Sequence, residues 1–113
     1  MNILILGDVF GPPGMKAITQ KLPSLIKKKE VDFVIINGEN SGDSGVGITK
    51  KNTEELFNAG ADVITSGNHV WDEKETVKFI DTEERLLRPE NLAKESPGKG
   101  FGIFNSKNNK KVA

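Results

Sequence analysis

Three apolar runs in this chain end the same way, and that repetition constrains the fold more than any other feature. Asn2-Ile3-Leu4-Ile5-Leu6 stops at Gly7-Asp8, and Phe33-Val34-Ile35-Ile36-Asn37 stops at Gly38-Glu39-Asn40. The third, Asp62-Val63-Ile64-Thr65, passes Ser66 into Gly67-Asn68-His69. Short apolar runs without alternation read as strands buried on both faces, the habit of parallel sheets. Between the first two runs, Met15, Ile18, Leu22, Leu25 and Ile26 follow helical spacing, which predicts a helix over 15–29. Gly11-Pro12-Pro13-Gly14 initiates it, and Lys27, Lys28 and Lys29 lie where cations favour the helix dipole. Pro23 is expected to kink or divide it. Thr49 is placed to cap a second helix that carries Leu56 and Phe57 and ends near Gly60. Asp72, Glu73 and Glu75 open a third, with Val77, Phe79 and Ile80 on its apolar side. Strand and helix alternating three times over are the signature of a parallel sheet with helical crossovers. Arg88 through Gly100 then reads as loop, Phe101-Gly102-Ile103-Phe104 as a strand, and Lys110 to Ala113 as the start of a return strand after a turn.

The composition excludes several functions. With no cysteine among 113 residues, disulfide scaffolds, thiolate zinc sites and cysteine nucleophiles are ruled out. The 16 basic and 16 acidic side chains cancel, so no global field draws the chain to nucleic acid or an anionic membrane. The charge divides unevenly, since Lys99, Lys107, Lys110 and Lys111 have no acid beside them after residue 98, a pattern that reads as a solvated turn. No apolar run approaches the roughly 18–20 residues that span a bilayer, and Met1-Asn2-Ile3-Leu4 lacks the basic start of a secretory signal. A cytoplasmic location is the expectation.

In an open parallel sheet, functional groups gather beyond the carboxyl ends of the strands. The three glycine-led endings place Asp8, Glu39, Asn40, Asn68 and His69 on one such rim. Two carboxylates, two carboxamides and an imidazole suit hard or borderline divalent cations such as Mn²⁺, Fe²⁺ or Zn²⁺. Taken singly, Asp8 also fits a turn or cap, Asn40 a left-handed turn, and His69 a surface role. Glu39 is harder to explain structurally, because a carboxylate that follows a buried strand seldom stays unpaired. Neither Gly11–Gly14 nor the glycine-rich stretch Gly42–Gly47 matches a Walker loop or a dinucleotide fingerprint. Trp71 reads as packing.

Gly67-Asn68-His69 resembles the Gly-Asn-His block of the calcineurin-like metallophosphoesterases. Adding Gly7-Asp8-Val9-Phe10-Gly11, Asn37-Gly38-Glu39-Asn40, His69-Val70-Trp71-Asp72, Arg88-Pro89-Glu90-Asn91 and Pro97-Gly98-Lys99-Gly100, the chain resembles the YmdB-type branch over nearly its whole length. Members of that branch are bacterial dinuclear metallophosphoesterases associated with 2′,3′-cyclic nucleotide phosphodiesterase activity. The resemblance implies an α/β chain, the parallel-sheet half of a layered α/β/β/α metallophosphoesterase fold. Residues 1–113 would be the N-terminal portion of that domain, incomplete at the C-terminus, because relatives draw further histidine ligands from a C-terminal half.

Position by position, Asp8 and Asn40 would bind one metal, Glu39 would bridge two, and Asn68 would bind the second. His69 would be the acid that protonates the leaving oxygen. The implied cofactors are two divalent ions, iron or manganese first and zinc or magnesium as alternatives. A hydroxide bridging them would attack phosphorus in line with the departing alkoxide. Asp72 would favour protonated His69 if the two side chains meet. Where the wider superfamily has a bridging aspartate and a histidine soon after the first aspartate, this chain has Glu39 and Val9-Phe10. The expected partner is a small phosphodiester or nucleotide, with no stable nucleic-acid complex and no membrane, and with a second copy or a complementing C-terminal half as a possible companion. The competing reading is a non-catalytic α/β module that binds a phosphate ligand or a protein through the same rim.

Overall fold

The computed structural model describes all of residues 1–113. The three apolar runs form β1 (Ile3–Leu6), β2 (Phe33–Asn37) and β3 (Val63–Thr65). They lie side by side with a fourth strand, β4 (Leu86–Leu87), in the order β1-β2-β3-β4, all parallel. The register pairs Leu6 with Ile36, Asn37 with Thr65, and Thr65 with Leu87. The strands therefore leave the sheet at nearly the same level, and their glycine-led endings share one rim.

One face of this sheet carries the main core. Leu4, Leu6, Val34, Ile36, Ile64 and Leu86 pack there against Met15 and Leu22 of α1 (Gly11–Lys28) and Leu56 of α2 (Lys50–Ala59). The opposite face is covered only in part. A hairpin of β5 (Phe104–Asn105) and β6 (Lys111–Val112) lays Phe104 and Val112 over Phe33 and Val63. The Lys107 N–H and ammonium tie its turn to the carbonyls of Asp32 and Val31 at 3.2 and 3.1 Å. The hairpin stops short of β1, where Ile3 and Ile5 remain 41% and 69% exposed. The expectation that β1 is buried on both faces is thus corrected, because helices cover a single side.

Four further expectations shift. The first helix starts at Gly11, with prolines in its first positions where no N–H is needed. Pro23 neither ends nor divides α1. Pro23 has no N–H to offer the Thr19 carbonyl, and both residues border an open polar groove with Glu55 and Asn58. Burial of Leu22 on the neighbouring face keeps the helix running. The third helix shrinks to one turn, α3 (Thr76–Phe79), and Val77 is exposed. Its intended opening acids are engaged elsewhere: Asp72 with His69, and Glu75 accepting the Lys50 N–H at the start of α2 at 2.8 Å. Finally, β5 begins at Phe104, and Phe101 and Ile103 face outward.

The second helix matches its signals. Thr49 accepts from the Asn52 N–H in a capping box, and Gly60 closes the helix in the left-handed region at φ 115°. No helix is long and apolar enough to cross a membrane. Leu56, wholly buried between α2 and the sheet, is the test of this packing. Leu56→Ala should lower unfolding free energy by about 2–5 kcal/mol in urea titrations, whereas Val77→Ala should change it by less than about 0.5 kcal/mol.

Candidate functional site

The rim is assembled by backbone bonds before any side chain acts. The Val9 N–H donates to the Asn37 carbonyl at 3.0 Å and the Gly11 N–H to the Asn40 carbonyl at 2.8 Å. These bonds clamp the turn after β1 onto the end of β2. Within that turn Asp8 takes φ 42°, a left-handed conformation that a non-glycine residue seldom adopts. The Gly38 N–H bonds to Thr65 at 3.0 Å, and the Ser66 N–H bonds to Leu87 at 2.9 Å, which carries the alignment across to β4.

On this frame the Asn40 amide donates from Nδ2 to Asp8 Oδ1 at 2.7 Å. That bond orients the amide and leaves Asn40 Oδ1 buried without a donor. Glu39 Oε2 is likewise buried without a partner. The Glu39 carboxylate lies against the backbone of Gly67, where a Cβ would come within 2.5 Å of Glu39 Cδ. Only glycine permits this approach. Asn68 follows, exposed and without a side-chain hydrogen bond. His69 Nδ1 lies 2.6 Å from Asp72 Oδ2, the pairing their spacing suggested, with both side chains partly exposed. A carboxylate at Nδ1 fixes the proton on that nitrogen and leaves Nε2 for another partner. Buried Val70, between His69 and Trp71, anchors the segment in the main core, and Trp71 packs beside it.

The structure therefore joins Asp8 directly to Asn40, brings Glu39 against the residue before Asn68, and pairs His69 with Asp72. No three histidine, aspartate or glutamate side chains converge on one point. The candidate donors are two carboxylates supplemented by carboxamides. Backbone alone offers no anion cradle at the start of α1, because Gly11 spends its N–H on Asn40 while Pro12 and Pro13 have none. Sequence reasoning placed Arg88 in a family motif but gave it no role at the rim, where it follows β4. It is 8% exposed, its Nε has no acceptor, and it donates from a terminal nitrogen to the Pro89 carbonyl at 2.8 Å. A two-residue strand leaves too short an apolar run to flag the residue after it.

A family model described as YmdB-like protein matches residues 4–113. The chain belongs to the YmdB-like family. One relative of this YmdB-like chain, from Bacillus subtilis (strain 168), is named 2′,3′-cyclic-nucleotide 2′-phosphodiesterase. It is 46% identical over 101 residues, which span 89% of this chain and 38% of that protein. Among solved structures, a hypothetical protein from Thermus thermophilus superposes with a TM-score of 0.84 at 37% identity, covering 93% of this chain and 40% of the other. A structure described as a novel phosphatase from Mycoplasma pneumoniae superposes with a TM-score of 0.83 at 36% identity, covering 91% and 38%. The YmdB-like chain thus spans about two fifths of the length of these relatives.

The contact between Glu39 and Gly67 can be tested without a ligand. Gly67→Ala should destabilise the protein by about 1–3 kcal/mol through overpacking. In the Glu39→Ala background the same change should cost much less, so a double-mutant cycle in urea should give a coupling of at least about 0.5 kcal/mol. Additive effects would contradict the contact.

Proposed function

We propose that this rim binds divalent cations and serves a phosphodiester hydrolase, with 2′,3′-cyclic nucleotides as the substrate class. The carrying observation is the pair of buried acceptors, Glu39 Oε2 and Asn40 Oδ1, that no donor satisfies. An unpaired buried carboxylate oxygen is costly, and a cation would answer it, as it would the amide oxygen. The donor chemistry fits: Asp8 and Glu39 supply negative charge, while Asn40 and Asn68 add oxygen ligands without more. Glu39, on the middle of the three endings, would be the carboxylate shared between two ions, the role the family resemblance implies. Manganese suits this oxygen-rich set, and iron is the other ion the family resemblance implies. When bound, such ions polarise phosphoryl oxygens and make water a stronger nucleophile at neutral pH.

The protein's own residues then do the rest. The Asp8–Asn40 bond holds two donors in place before any ion arrives, which reduces the ordering that binding requires. Asp72 holds the His69 ring through Nδ1 and presents Nε2 as the proton donor. As water adds to phosphorus in a 2′,3′-cyclic ester, the bond to one ring oxygen breaks. His69 gives that oxygen its proton, the attacking water releases one to solvent, and a monoester remains. The name of the Bacillus relative supports this substrate class. His69 is the single histidine of the chain, which spans 38% of the length of that relative.

Hydrolysis of adenosine 2′,3′-cyclic monophosphate by the Mn²⁺-loaded protein, followed by phosphorus NMR, tests the reading. EDTA and Glu39→Gln should abolish turnover, and His69→Ala should lower kcat by about 10²–10⁴-fold. Asp72→Asn should lower kcat by a smaller factor and leave KM nearly unchanged. Nucleotide binding that ignores EDTA, with no turnover, would instead establish a non-catalytic binding module.

A further inference from the structure

Two features remain without a role: the glycine-rich stretch 42–47, and Phe10 of the Val9-Phe10 pair that stands where the wider superfamily has a histidine. The structure brings them together. The Phe10 ring lies against Gly45, where a Cβ would meet ring Cζ at 2.6 Å and Cε2 at 3.0 Å. Gly45 itself has φ 82°, so a side chain there is excluded by backbone conformation as well as by space. The loop behind the ring is closed on itself by Gly42 N–H to Gly47 at 2.9 Å and Gly45 N–H to Gly42 at 2.8 Å. Its far end is pinned by the buried Thr76 hydroxyl, which donates to the Ile48 carbonyl at 2.7 Å. Phe10 is bracketed in turn by the Val9 and Gly11 backbone bonds to the end of β2. An aromatic side chain held this firmly is nonetheless 60% exposed.

That exposure is unlike the rest. The other large exposed apolar side chains are Met1, Ile3 and Ile5 at β1, Val77 on α3, and Phe101 and Ile103 before the hairpin. Phe10 alone belongs to the carboxyl rim, two residues after Asp8. A solvent-facing aromatic beside the proposed phosphodiester site has a chemical use that apolar surface elsewhere lacks: a planar heterocycle can stack on it with little loss of side-chain freedom. We propose that Phe10, backed by the loop 42–47, is the shelf on which the nucleobase of the substrate stacks. The glycine-rich loop thus supports the base side of the site and does not cradle phosphate. This inference rests on the nucleotide reading above and adds the residue that tells a nucleotide from a base-free sugar phosphate.

The test compares adenosine 3′-monophosphate with methyl ribofuranoside 3-phosphate, which keeps sugar and phosphate but carries methoxy in place of the base. Calorimetric titration should show the adenosine ligand binding about 5- to 150-fold more tightly, the range expected for one stacked base. Phe10→Leu and Gly45→Ala should collapse that ratio toward one, the first by removing the ring and the second by displacing it, while Phe10→Trp should retain it. Equal affinities in the unsubstituted protein, or an undiminished ratio in Phe10→Leu, would overturn the shelf. Hydrolysis of the two corresponding cyclic esters separates the claims. Turnover of both without base discrimination would sink the shelf alone, and turnover of neither would sink the hydrolase reading while the binding ratio still decides the shelf.

Discussion

The approach of the Glu39 carboxylate to the bare backbone of Gly67 is the constraint on which the rim depends. It exists because β2 and β3 are parallel and in register, with Asn37 level with Thr65, so that both chains turn away from the sheet at the same height. The Gly38 and Ser66 N–H bonds extend that level across the sheet. Any side chain at Gly67 would push the carboxylate out, and with it the buried oxygen that has no donor. The rim's chemistry is therefore a consequence of sheet register joined to one glycine.

Much of this was legible in the residues, for physical reasons. Runs such as Phe33–Asn37 are buried on both faces, so they carry an unbroken apolar signal, and the glycine-led endings that follow mark the rim. Thr49 and Gly60 bounded α2 because capping and left-handed termination are local chemistry. The family motifs matched because they consist of these same strand endings. What stayed hidden was tertiary. Exposure of Ile3 and Ile5 depends on how far the hairpin reaches across the sheet, which no local pattern encodes. The acids at Asp72 and Glu75 suited a helix N-terminus but found partners in His69 and the Lys50 N–H. Arg88 stood in a family motif but received no place on the rim, because β4 is too short to announce its end.

The two sides of the sheet also divide the labour. Helices α1 and α2 cover one face with a continuous core and fix the strands, while the other face is capped only by the β5–β6 hairpin. The rim lies at the carboxyl edge between them. His69 and Asp72 are supplied by a segment whose Val70 is buried in the main core, and Phe10 by the turn that begins α1. Groups that would touch phosphate and groups that would touch base thus come from loops anchored to one rigid core, which is how a site is held in geometry without being buried.

The central claim is that Asp8, Glu39, Asn40 and Asn68 jointly hold divalent metal. Crystals soaked in Mn²⁺ and measured for anomalous scattering test it most directly. The account predicts anomalous peaks at coordination distance from the Glu39 carboxylate, one also reached by Asp8 and Asn40. Peaks confined to other surface carboxylates, or a rim without any, would contradict it.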